Sequence, residues 1–308
     1  VYHDIANFLT NIFIFKPDPK CELWFHPFIE LSKERVVPLI APVMIPNLTR
    51  NIEFWLKNGG VNFSEKGKLF EEKIRAEFRE TIKSSEALKN VNVYHISHNE
   101  FKEEIDIVIR LNNTLLIGEM KCHIFPTEPL DFYNYFSTLK GAVKQVRRKE
   151  IVVKANIDKF IKLLNLEKDL TIDKIEVIPF VFSNQPLGVG FPIENTAIVD
   201  RYILFRYFDK GYHERLVTFD QDGNKSLGDK FYFYKTEHEA ENNISKYLLN
   251  PPQIELLRNH VKINNYPFPL FDSNTKNVNF LEYEVELPIS MDKKEGKGAK
   301  SAVDFKNK

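Results

Sequence analysis

Residues 104–122 constrain the fold more tightly than any other part of the chain. Glu104 to Leu111 and Thr114 to Cys122 are runs rich in Ile, Val and Leu, separated only by Asn112-Asn113. Branched aliphatic residues at short alternation favour strands, and Asn tolerates the positive φ that a tight turn demands. The segment therefore predicts a β-hairpin. A further extended stretch, Val91 to Ser97, precedes it, and Leu69, Phe70, Ile74, Phe78 and Ile82 recur at helical spacing among Glu, Lys and Arg, predicting an amphipathic helix over 66–83. After the hairpin, 130–166 reads as two helices, with Lys140, Lys144, Arg147, Arg148 and Lys149 concentrated in the first. Ile175 to Phe182 is almost continuously apolar, as a strand covered on both faces would be, and Thr196 to Val199 reads as one more, before a short helix to Phe208. A helical crossover of this length makes 114–122 and 175–182 parallel neighbours. The expected fold class is α/β, with a mixed central β-sheet flanked by helices.

The rest of the chain divides around that core. Residues 1–60 mix aromatics and prolines without a sustained period and read as an N-terminal accessory region beside a core over 61–210. Residues 211–288 read as a C-terminal accessory region, with a small hairpin at Asp222-Gly223, a helix from Glu237 to Leu249 and another starting at Pro251-Pro252. Residues 289–308, dominated by Lys, Glu, Gly and Ser, read as a disordered tail. With 308 residues, 43% of them hydrophobic, there is ample material for a core. Lys plus Arg and Asp plus Glu balance at 43 each, so net charge announces no nucleic-acid partner, and any basic surface must be local. The longest nearly apolar run, Val36 to Pro46, has 11 residues, against the roughly 20 a bilayer crossing needs. No membrane partner is expected. The 2 cysteines, Cys21 and Cys122, make no disulfide framework, no basic-then-apolar leader opens the sequence, and the expected location is cytoplasmic.

The chemistry follows from the hairpin. With Asn112 and Asn113 as the turn, Asp106 and Glu119 are equidistant from it and face each other on one side of the sheet. Directly opposed side chains lie about 4.5–5.5 Å apart at Cβ, and like charges there repel. Lys121 follows two residues on, about 7 Å along the strand, and projects from the same face. A divalent ion such as Mg²⁺ or Mn²⁺ between Asp106 and Glu119 would convert their repulsion into a binding site, because hard cations take carboxylate oxygens. The ordinary alternative is a cross-strand ion pair of Glu104 with Lys121, which also face each other, leaving both acids solvated. Other acid-x-lysine triplets lack a hairpin: Pro17-Asp18-Pro19-Lys20 is broken by its prolines, Glu71-Glu72-Lys73 lies on a helix, and Glu295-Gly296-Lys297 lies in the charged tail. His95, His98 and His123 match no compact zinc ligand set and read as surface histidines, while Met120 and Cys122 read as core.

Taken together, Gly67-Lys68-Leu69-Phe70-Glu71 opening a helix, Glu104-Ile105-Asp106, Glu119-Met120-Lys121-Cys122 and Gln145 in the following helix are similar to the PD-(D/E)xK, restriction endonuclease-like superfamily of nucleases, in particular its Mrr-type members. The resemblance covers about 64–205. It departs at Ile105, where the motif has Pro, and at Lys149, where a tyrosine often stands four residues after the glutamine. It implies a restriction endonuclease-like core with N- and C-terminal additions, catalytic roles for Glu71, Asp106, Glu119, Lys121 and Gln145, and a Mg²⁺ or Mn²⁺ ion held by Asp106, Glu119 and Glu71. Lys121 would orient or activate the attacking water, and Lys140, Lys144, Arg147 and Arg148 would contact phosphates. The implied activity is hydrolysis of DNA phosphodiester bonds, in restriction or antiviral defence, with a second copy of the chain or a defence-system protein as partner. The alternatives are a catalytically inactive nucleic-acid-binding or scaffold module of the same fold, or a nuclease acting on RNA or branched DNA.

Overall fold

The computed structural model describes residues 10–17, 22–32, 35–46, 48–58, 60–62, 65–85, 88–97, 99–126, 129–166, 172–214, 217–219, 225–227, 230–258, 261–267 and 279–285. The strands Val217–Phe219 and Lys225–Leu227 pair antiparallel, as the hairpin expected around Asp222-Gly223 requires, while those two turn residues and the tail at 289–308 lie outside the described residues. The chain divides into two compact units, Val1–Pro251 and Pro252–Lys308. The second has a helix, Pro252–Arg258, and an antiparallel hairpin of Val261–Pro267 with Asn279–Val285.

In the first unit a helical segment at 10–13 precedes a short antiparallel pair, β1 (Phe28–Ser32) and β2 (Arg35–Pro38), followed by α1 (Ile40–Met44) and α2 (Leu48–Asn58). Then come α3 (Lys66–Lys83), β3 (Val91–Ile96), β4 (Ile105–Leu111), β5 (Thr114–Lys121), α4 (Pro129–Ala155), α5 (Ile157–Leu163), β6 (Glu176–Ser183), β7 (Ala197–Val199), α6 (Arg201–Asp209) and, after short strand pairs, α7 (Glu237–Leu249). β3 to β7 form one five-stranded sheet in sequential order, antiparallel from β3 to β5 and parallel from β5 to β7. The change of sense occurs where α4 and α5 intervene, because parallel neighbours need a crossover and antiparallel ones need only a turn. This is the α/β arrangement with a mixed central sheet and flanking helices that the sequence predicts.

The hairpin register is also as expected. Ile107 faces Gly118, Val108 faces Ile117 and Leu111 faces Thr114 across the Asn112-Asn113 turn, with Asn112 at φ 50°. Every residue of β4 is buried because both faces of the sheet are covered. On one face Val108, Leu115, Ile117, Val177 and Val181 pack with Leu139, Val143, Val146 and Val153 of α4. On the other, Phe70 of α3 meets Phe182 at 6.0 Å between ring centroids, and Phe78 meets Phe205 and Phe208 of α6 at 5.0 Å each. Leu69, expected on the apolar face of α3, is instead 61% exposed. Gly118 marks the tightest approach in the sheet: a Cβ there would lie 2.5 Å from both Ile107 Cγ2 and Phe180 Cζ. Caps define the later helices, with Asp200 Oδ1 accepting from Ile203 N at 2.8 Å and the Thr236 hydroxyl accepting from Glu239 N at 3.2 Å. Glu241 of α7 accepts from Asn113 N at 2.8 Å, tying α7 to the hairpin turn. Among the described residues, no helix is long and apolar enough to cross a membrane.

Candidate functional site

Asp106 and Glu119 stand one position beyond the last ladder pair, Ile107 with Gly118, on the face that α4 covers. The free edge of the ladder is used by a side chain: Met120 N donates to Asp106 Oδ2 at 2.7 Å. Lys121 Nζ donates to Glu119 Oε1 at 2.7 Å, so the lysine joins its strand neighbour and does not form the alternative pair with Glu104, which lies 3.6 Å from His95 Nε2.

Between the two carboxylates lies a residue to which the sequence analysis assigned no role there. Lys149, reaching in from α4 with its side chain only 7% exposed, donates to Asp106 Oδ1 at 3.2 Å and to Glu119 Oε2. All four carboxylate oxygens therefore have protein donors, and two ammonium groups balance two carboxylates. Burial and the Glu119 charge push the Asp106 carboxyl up, against the pull of Lys149 and of the Met120 N–H. Burial alone would lower the Lys149 ammonium, but the adjacent Asp106 and Glu119 charges hold it above the usual lysine range.

Behind this cluster, buried Arg75 of α3 donates from Nη1 to Asp106 O at 2.6 Å and lies 3.6 Å from Glu71 Oε2. Glu71 is half-buried, and burial together with the Asp106 charge pushes its carboxyl up to about 7. Its neighbour Glu72 faces solvent. Gln145 is exposed on α4, and its place in the cluster is taken by Lys149 one turn on. Met120 is buried as expected, whereas Cys122 is half-buried, with burial raising its thiol.

The basic run of α4 is not one surface. Lys140 and Lys144 are exposed. Arg147 donates to Glu150 Oε2 at 2.8 Å and to the backbone oxygens of Glu194 and Asn195, and Arg148 pairs with Glu103 through Nε at 2.9 Å and Nη2 at 3.0 Å.

The carboxylate oxygens suit a hard divalent ion, and the Lys149 ammonium marks the position between them as one that gathers positive charge. Among the described residues no group of three or more His, Cys, Asp or Glu side chains is assembled as a ligand set. Asp106 and Glu119 would hold the ion, with Glu71 in support and with Lys149 withdrawn. The charge balance that the sequence argument assigned to a metal is supplied here by Lys149. The signal was present: position 149 continues the apolar face Leu139, Ala142, Val146 and Val153 of α4, where a lysine needs an acidic partner. No protein-family model, no curated protein sequence and no solved structure matches this chain.

Proposed function

We propose that this chain is a divalent-metal-dependent endonuclease of the PD-(D/E)xK, restriction endonuclease-like kind, hydrolysing DNA phosphodiester bonds. The observation that carries the reading is the meeting of Asp106, Glu119 and Lys121 at one end of the hairpin, with Lys121 partly open to solvent. The mixed sheet, with its hairpin leading through α4 into a parallel strand, is compatible with that core. Bound Mg²⁺ or Mn²⁺ supplies a Lewis acid and an acidified water. Lys121 presents an ammonium beside Glu119, where it would bind a phosphate oxygen and stabilise the charge that develops on it. Arg75 fixes the backbone of Asp106, and Lys149 holds the two carboxylates together when no ion does. Exposed Lys140 and Lys144 are the phosphate contacts this reading retains on α4. Restriction or antiviral defence, with a second copy or a defence-system protein as partner, is the physiological setting proposed.

A second reading, a binding or scaffold module without catalysis, is favoured by one observation: every carboxylate oxygen of the pair already has a protein donor. Calorimetric titration with Mg²⁺ and Mn²⁺ separates the two. The nuclease reading predicts saturable uptake by the wild type, its loss in Asp106→Asn, and in Lys121→Ala retained uptake with cleavage slowed by about 10²–10³-fold. Absence of uptake by the wild type would select the module.

A further inference from the structure

The N-terminal segment builds one wall of a cavity of 690 Å³ whose other wall begins where β5 ends. On the first side, Trp55 Nε1 of α2 donates to Phe25 O at 2.9 Å and Asn51 Nδ2 donates to Trp24 O at 3.1 Å, so residues 24 and 25 are held against the helix. On the other side stand Cys122, His123 and, from α4, Tyr135. His123 is two residues beyond Lys121, so the cavity adjoins the dicarboxylate cluster.

Its chemistry is neutral and flat. The acids Glu22, Glu53 and Asp131 are matched by Arg50, Lys57 and Lys66. Arg50 lies 3.3 Å from Asp131, and Lys66 lies 2.5 Å from Glu53. Such a cavity has no net charge with which to hold a phosphate. Aromatic rings line it: Phe54 stacks on Phe25 at 3.9 Å, and Tyr135 meets the His123 ring edge-on at 4.7 Å. Two buried polar atoms, Glu53 Oε2 and His123 Nε2, have no hydrogen-bond partner among the described residues. Leaving a buried acceptor unpaired carries a desolvation penalty that an incoming N–H would relieve. An uncharged planar group with N–H donors and acceptors on its edge meets all of these features. Nucleobases are such groups, and proteins that take up unpaired bases stack them on aromatic side chains and bond their edges. The volume falls within the roughly 300–1,000 Å³ of small-ligand sites, enough for a base with its sugar.

We propose that this cavity receives an unpaired nucleobase from a strand whose backbone passes Lys121, so that the protein prefers single-stranded or frayed nucleic acid to fully paired duplex. The inference rests on the nucleic-acid reading of the neighbouring cluster. The test uses the full chain in EDTA and fluorescence anisotropy with three probes: a short single-stranded DNA, a strand of the same length made of abasic sites, and a blunt duplex. Wild type should bind the base-bearing strand about tenfold more tightly than the abasic strand, the effect of about one stacked base. Glu53→Gln, which exchanges an acceptor oxygen for a donor of the same shape, should erase that difference. Equal binding of the base-bearing and abasic strands by wild type would overturn the base pocket and leave a nucleic-acid-binding cluster standing. Undiminished discrimination in Glu53→Gln would overturn it as well. Discrimination without metal-dependent cleavage would sustain the pocket and sink the nuclease, and no binding of any probe would overturn the pocket.

Discussion

Lys149 holds Asp106 and Glu119 together, and its removal has a calculable consequence. Taking one partner from a buried ion cluster costs about 3–5 kcal/mol, because the remaining charges stay buried and unpaired. Lys149→Met should therefore lower the unfolding free energy by about that amount in EDTA, measured by urea denaturation, and Mg²⁺ should restore much of it by binding the unpaired carboxylates. A loss below 1 kcal/mol would mean the cluster is not the tight unit seen here. Glu71 gives a second prediction at this scale. Its carboxyl is raised from 4.5 to about 7, so between these values the folded state keeps a proton that the unfolded state has released. Stability in EDTA should fall as pH rises from about 4.5 through 7, and Glu71→Gln should flatten that part of the curve. The roles of these residues were unequally legible. Asp106 and Glu119 follow from a two-residue turn and a period of two, whereas Lys149 is hidden in a run of basic residues that looks like a solvated face until its position on the apolar stripe of α4 is noticed.

Among the elements, the hairpin was the most legible because its turn, alternation and length agree, and register leaves no freedom once one face is buried. Gly118 was silent in the sequence, since only the packed sheet reveals Ile107 and Phe180 at 2.5 Å from its missing Cβ. Gly118→Ala should cost about 1–3 kcal/mol by overpacking, read as a shift of the urea midpoint with unchanged slope. A neutral result would show that β4 and β6 yield there. The basic helix was legible as a helix and not as a surface. Arg147 and Arg148 pair with Glu150 and Glu103, whereas Lys140 and Lys144 are exposed and are the phosphate contacts proposed above. Charge reversal at Lys140 and Lys144 should weaken DNA binding across all sequences and reduce the salt slope by about one per lost phosphate contact. The same change at Arg148, an exposed pair, should alter stability by less than about 1 kcal/mol. Equal loss of DNA binding at all three positions would restore the single basic stripe expected from sequence.

At the scale of the whole molecule, equal numbers of acidic and basic residues conceal a local arrangement: a buried charge cluster at the end of a hairpin and a neutral, aromatic cavity beside it. The cluster was readable because strands impose a fixed alternation. The cavity was not, because its residues come from two stretches far apart in sequence, 22–66 and 122–138, and meet only through tertiary packing of α2 against the region that follows β5. The central claim is that Asp106, Glu119 and Lys121 form a metal-dependent site for phosphodiester hydrolysis. It is tested most directly by incubating purified wild type and Asp106→Ala with linear, supercoiled and single-stranded DNA and with RNA, in Mg²⁺ or Mn²⁺ and again in EDTA. The expected result is cleavage of DNA by the wild type with metal and none by Asp106→Ala or in EDTA. Cleavage that persists in Asp106→Ala or in EDTA, or a wild type inert on every substrate, would contradict it.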